Sequence, residues 1–406
     1  MSRHRKLLLL ARQKHAAKSG LGLIFEGKLN FCRNEVLHLI TIILSTVIVL
    51  GVLIFVHELG HFLVAKYTGV TVLRFSLGFG PKIFGITRGG TEYRLSMIPL
   101  GGYVKMLGED SEEELPQVSR AGAFSEQKVI KRLAIVFAGP LSNFVTAILL
   151  FTLVFGIHGI PEPAPDIGSV NPGSPAEHAG LRAGDRVISI NGQSISTWED
   201  LSESIEKFGL HPLDLRVKRD DSEFSVTVTP AIDEAPNIFG EKFKRPLIGI
   251  SVSENTIVRS VNPVAAGYYA LVHTYGLSKV FFTMVVKLIE RIVPLNALGG
   301  PILIAQMAGK HAQKGIFDLL NFMGFISVNL AVLNLLPIPI LDGGHIFFFL
   351  IEAVLGRPLS VKKIEIAQKL GLVALLSLMV VVFYNDIMRL DWSSITSWFQ
   401  HVWSRL

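Results

Sequence analysis

The sequence predicts a polytopic α-helical membrane protein. It has four transmembrane helices, a membrane-associated β-hairpin after the first, and one soluble domain inserted between the second and third. Three observations predict this. Half of the 406 residues are hydrophobic and 18% are charged, against about a quarter charged in ordinary soluble domains. The apolar excess is gathered into long uncharged runs at 36–56, 133–157, 319–341 and 370–385. Residues 160–255, by contrast, have a soluble composition.

The first three runs are long enough to cross about 30 Å of hydrocarbon. The fourth is marginal alone, but Tyr384 and Trp392 beyond it have the character of interfacial anchors. A fifth apolar stretch, 271–293, is read as a helix lying in the membrane interface. Lys279, Thr283, Lys287 and the pair Glu290/Arg291 recur there every three or four residues, forming one polar stripe.

Residues 66–132 form a basic loop between the first two spans. Within it, 91–97 alternates strictly, with Tyr93, Leu95 and Met97 on one face. That pattern is a strand, and Gly89-Gly90 predicts a hairpin turn to 82–86. Glu112-Glu113-Glu114 marks a solvated loop. In the soluble segment, Ser174-Pro175-Ala176-Glu177 is a capping box that opens a short helix. Thr197 and Asp200 open a second, amphipathic helix, and 187–190, 213–217 and 224–228 read as strands.

Composition also excludes. The single cysteine, Cys32, rules out an internal disulfide and a Cys-rich metal motif. A net charge of +6, clustered beside the apolar runs, reads as topology information and not as nucleic-acid binding. Any metal site must therefore use His and carboxylates.

The first span ends in His57-Glu58-Leu59-Gly60-His61. Residues four apart on a helix are neighbours, so both imidazoles face one way and can share a zinc ion. Glu58, one residue along, is placed to act as general base on a water that the metal activates. Catalytic zinc usually takes three protein ligands. Asp342, expected at the end of the third span, supplies the third, because an ionisable group there is costly and so a functional candidate. Pro337 and Pro339 should break the helix just before it. The pairing requires spans one and three to run in the same direction, which holds only if 271–293 does not cross. Asn143, Asn329 and Asn334 are open between substrate contact and helix–helix hydrogen bonding. His345 is either a support for the metal ligands or simply interfacial.

An edge strand at 91–97, continuing to the glycines at 101–102, could pair with an unwound substrate. Backbone bonds of that kind would put Leu95 and Met97 against it.

Taken together, these residues resemble a known family. The HELGH of span one, Gly-Phe-Gly-Pro-Lys at 78–82 and Pro-Leu-Gly-Gly-Tyr-Val-Lys at 99–105 look like site-2 proteases. So do Ala-Gly-Pro-Leu-Ser-Asn at 138–143, Gly-Gly-Pro at 299–301 and the run from Asn334 to His345. Their order resembles the bacterial regulator-of-sigma-E protease group. The stretch 174–192 looks like a circularly permuted PDZ domain, one copy where the best-known enterobacterial member has two.

The resemblance implies zinc held by His57, His61 and Asp342, with Glu58 as the catalytic glutamate, and favours substrate handling by Asn329 and Asn334. It implies cleavage of single-span membrane proteins such as anti-sigma factors or remnant signal peptides, after an upstream site-1-type protease. The PDZ domain would take peptide C-termini. The implied location is the bacterial inner membrane, with the PDZ domain extracytoplasmic and the active site near the cytoplasmic side. On this reading the segments are 1–35 (basic extension), 36–65 (first span) and 66–132 (cytoplasmic loop with the hairpin). They continue with 133–157 (second span), 160–255 (PDZ), 264–293 (interfacial helix), 319–345 (third span) and 366–388 (fourth span). Residues 1–35 have no family counterpart, and an overlong gene start is one explanation. The competing functions are a catalytically silent PDZ adaptor, against which Glu58 speaks, and a membrane zincin of another clan, against which Asp342 speaks.

Overall fold

The structure, a computed structural model, describes residues 36–109, 122–237 and 239–390. Residues 1–35, the loop at Glu112-Glu113-Glu114 and Trp392 lie outside the described residues. In chain order come α1 (Val36–Tyr67), β1 (Val72–Arg88), β2 (Thr91–Met106) and α2 (Val129–His158). A β-rich region follows, with β3 (Ile160–Pro163), β4 (Ile167–Val170), α3 (Pro175–His178), β5 (Arg186–Ile190), β6 (Gln193–Ser194) and α4 (Trp198–Phe208). It continues through β7 (Leu213–Arg219), β8 (Ser222–Val228), β9 (Ala231–Pro236), β10 (Lys242–Leu247), β11 (Ile250–Val252) and β12 (Thr256–Arg259). The chain then closes with α5 (Pro263–Ile289), α6 (Pro301–Lys314), α7 (Ile316–Leu335), α8 (Asp342–Leu355) and α9 (Val361–Met388).

Four helices, α1, α2, α7 and α9, are long and apolar enough to cross a membrane. Among the described residues α5 is not one of them. It stops at Ile289, short of the expected 293, because Arg291 takes a left-handed turn at φ 61°. Glu290 and Arg291 thus lie past the helix, and Lys287 spends its ammonium on Glu241 and Glu290 at 2.8 and 3.0 Å. A second boundary also moves. The third span does not run into its aspartate: α7 ends at Leu335, and Asp342 is the first residue of a separate helix, α8. Pro337 and Pro339 lie in the intervening turn, where neither can donate a helical bond. That turn folds back tightly, since a side chain at Gly344 would meet the Ile338 carbonyl at 2.3 Å.

The chain divides into two compact units. Among the described residues, one comprises those up to 139, 299–322 and those from 337 to 390; the other comprises those within 140–298 and 323–336.

In the first unit β1 and β2 fold twice upon each other. The turn at Gly89-Gly90, both at positive φ, brings 84–88 against 91–95. The segment 72–77 pairs with 102–106 on one side, Leu77 opposite Gly102. On its other side it pairs with 92–95, Arg74 opposite Glu92 and Leu77 opposite Leu95, residue numbers rising together. The order across the sheet is therefore 102–106, 72–77, 91–95, 84–88. The expected edge strand 91–97 is not an edge along 92–95: both of its flanks are paired there. Lys82 and then Arg74 donate to Glu92 and hold its carboxyl down at about 2. With the folded value depressed, this contribution is complete above the unfolded value near ~4.3 and is lost only as pH falls towards 2. Val70, Val72, Phe75, Val104 and Met106 pack with Ala65 and Ile135, fixing the sheet beside α1 and the start of α2. Near the end of α9, buried Asp386 accepts from the amides of Gly300, Ile302 and Leu303 at 2.9, 2.9 and 3.1 Å. It supplies the cap that the α6 N-terminus lacks from its own side chains.

In the second unit the β-rich domain is closed first strand to last: β3 pairs with β12 and β4 with β11. Its entry and exit therefore lie side by side, as an insertion between helices requires. Leu213, Leu215 and Val217 alternate into a core with Leu201 and Ile205 of α4. A cleft there is lined by Trp198, Leu201, Ile205, Arg245, Leu247 and Ile250.

Candidate metal centre

His57 and His61 leave adjacent turns of α1, ring centroids 4.8 Å apart and nearly perpendicular. Their Nε2 atoms lie 3.2 Å from each other. Asp342, at the head of α8, brings Oδ2 to 3.1 Å from His57 Nε2 and Oδ1 to 3.6 Å from His61 Nε2. One ligand atom from each of the three lies within 4.8 Å of the others.

These residues fit a zinc ion. Buried Asp342 Oδ2, for all its proximity to His57, has no hydrogen-bond partner, so an acceptor is left that a cation would use. His61 Nδ1 lies 2.9 Å from the Ile135 carbonyl. That contact requires Nδ1–H to donate, which leaves the Nε2 lone pair directed at the cluster. Two imidazoles and one carboxylate are a catalytic zinc donor set with one position to spare.

Residue spacing gives no hint of two backbone features that surround the cluster. Gly139 of α2 lies against the imidazoles: a Cβ there would sit 2.2 Å from His61 Nε2 and 2.9 Å from His57 Cε1. On the other side, the Val104 backbone amide hydrogen-bonds the Glu58 carboxylate. A Cβ on Gly102 would come within 3.1 Å of Glu58 Cγ and 2.8 Å of the Ser76 carbonyl. The strand beside Glu58 is thus 102–106, the outer strand of the sheet, and not 91–97. Both glycines stand in motifs that carried the family resemblance, the only signal for Gly139; Gly102 is also reached as the continuation of the strand 91–97.

Asn143, Asn329 and Asn334 belong to the second unit. Asn143 is fully buried, and its carbonyl accepts from Ser327 Oγ at 2.7 Å. Asn329 and Asn334 are half-buried on α7. His345 lies one turn into α8, edge-on to Phe348.

A model of peptidase family M50 matches residues 45–378. The chain belongs to this family, the site-2 proteases. The M50 peptidase is 35% identical over 351 residues to a Rhizobium meliloti protein, covering 83% of this chain and 94% of that one. It is 37% identical over 347 residues to a Campylobacter jejuni protein, covering 86% and 93%. Both relatives are provisionally named zinc metalloproteases. A PDZ domain of a Listeria monocytogenes protein is similar over 21% of this chain and 84% of its own length, at 22% identity and a TM-score of 0.18. This M50 peptidase is a membrane metalloprotease, and zinc is its cofactor. When bound, zinc supplies the Lewis acidity that polarises a peptide carbonyl and acidifies a water near neutral pH.

Proposed function

We propose that this M50 peptidase hydrolyses peptide bonds inside the transmembrane segments of single-span membrane proteins. One observation carries the reading: two ligands and Glu58 stand on α1, a helix long and apolar enough to cross a membrane. A soluble substrate would have no reason to meet chemistry placed there. Glu58 is the general base: it is not one of the three ligands, yet the Val104 amide orients its carboxylate at the cluster's flank. That oriented glutamate also argues against a silent adaptor, which has no use for it.

A helical substrate must unwind to be cut, and each orphaned backbone group costs several kcal/mol in hydrocarbon. The outer strand 101–106 is the proposed partner for the unwound segment, with Leu95 and Met97, 40% and 59% exposed, offering apolar contact. Asn143, Asn329 and Asn334 are proposed to handle substrate as well. The natural substrates are proposed to be anti-sigma factors or remnant signal peptides, delivered by an upstream protease in the bacterial inner membrane. The PDZ-like domain would face outward and select among them by binding peptide C-termini in the cleft beside α4, and the active site would lie near the cytoplasmic face.

The test is capture: proteomics should find single-span fragments accumulating on a Glu58→Gln trap and absent from the wild-type control. Enrichment of soluble proteins alone would overturn the reading. Gly102→Ala is expected to retain full zinc and lose turnover about ten- to a hundredfold, because it displaces Glu58 and touches no ligand. Metal analysis beside a rate assay reads both. Deleting 160–255 is expected to leave cleavage of a pre-trimmed substrate intact and to loosen selection against untrimmed ones. A deletion that folds, binds zinc and cuts nothing refutes selection as the role of that domain.

A further inference from the structure

Asp342 is the one metal ligand not carried by α1, so something must hold α8 in the right rotation and depth. Residues 342, 345, 349 and 352 recur at helical spacing and form one stripe along α8. The far end of that stripe meets the first turn of α2. Arg132 Nη2 donates to Glu352 Oε1 at 2.6 Å, Arg132 Nε donates to the Gln127 carbonyl at 3.1 Å, and the guanidinium lies 4.8 Å over the Phe349 ring. Phe349 in turn packs on Phe124 and His345. Both charged side chains are only 12% exposed, where an ion pair is held tightly and is costly to break. One turn further along α2, Ile135 orients His61, and Gly139 admits both imidazoles.

We propose that Arg132 and Glu352 are positioning residues for the metal, clamping α8 to α2 so that Asp342 meets the histidines already registered on that same helix. Neither touches the cluster. Their action is on its geometry: α2 sets His61 through Ile135 and sets Asp342 through Arg132, so both protein arms of the site share one reference. The guanidinium is suited to this because its planar fork bonds two acceptors and stacks on a ring at once, which an ammonium cannot do. The inference rests on the zinc reading of the site and deepens it.

The test uses full-length protein, stripped of metal, with zinc affinity measured by competition against a chromophoric chelator. Arg132→Gln and Glu352→Gln are each expected to weaken zinc binding about 10- to 100-fold, the usual effect of removing a group that orients a ligand. The double variant should fall little further, because both changes remove one interaction. Arg132→Lys should lie between, and it serves if Arg132→Gln does not fold. The control is Arg219→Gln in the β-rich domain, which breaks a comparable pair to Asp185 at 2.6 Å, with Arg219 stacked over Phe224. It should lower thermal stability and leave zinc affinity unchanged. Zinc affinity within twofold of wild type in Arg132→Lys and Glu352→Gln overturns the inference, as does an equal loss in Arg219→Gln. A wild-type chain that takes up no zinc overturns the zinc reading, and this inference with it.

Discussion

Glu58→Gln is expected to keep one zinc per chain while cleavage falls by a factor of about 10² to 10⁴, the range a positioned general base contributes. The substitution is close to isosteric. Its amide oxygen can still accept from Val104, so strand 102–106 stays in place. What it loses is the ability to take a proton. None of the three groups that converge within 4.8 Å is altered, which is why metal content and rate should separate. Metal analysis of the purified protein alongside a single-span cleavage assay decides the matter. Turnover within tenfold of wild type would place the base elsewhere, and parallel loss of zinc would make Glu58 a ligand.

Gly139→Ala should do the reverse, removing zinc and activity together. The added methyl would sit 2.2 Å from His61 Nε2 and 2.4 Å from its Cε1, distances no carbon can hold. Retreat is blocked, because the other ring nitrogen is bonded to the Ile135 carbonyl of the same helix, one turn earlier. Either that bond breaks and the imidazole turns, or α2 shifts away from α1. Each course should lower zinc affinity by at least the 10- to 100-fold typical of a disturbed ligand support. The contrast is with Gly267→Ala and Gly276→Ala on α5, where an added Cβ meets nothing within 4 Å. There the better helix propensity of alanine, about 1 kcal/mol, should be neutral or mildly stabilising. A Gly139→Ala protein that binds zinc as tightly as wild type would mean that α2 does not close over the histidines.

What could be read from the chain alone was whatever depends on neighbours in sequence. The His57–His61 pair follows from helical periodicity, four apolar helices from run length, and the Gly89-Gly90 turn from alternation on either side of it. The Thr197/Asp200 capping box and the Ser174 N-cap are local hydrogen bonds and were legible for the same reason. The Glu177 carboxylate, however, accepts from the Gly173 amide and so leaves the box expected at Ser174 half formed. Asp342 could be named because a carboxylate among apolar residues is expensive, but its place could not. It heads α8 and does not end α7, a distinction made by the fold-back over Gly344. Alternation showed that 91–97 is a strand, yet a period of two carries no information about which strands flank it. Only the tertiary fold put 72–77 on its far side and gave the place beside Glu58 to 102–106. The Ile135 carbonyl, 74 residues from His61, and the Arg132–Glu352 pair, 220 residues apart, had no signature at all. Such contacts form because separate helices pack, and neither partner's local sequence records the other.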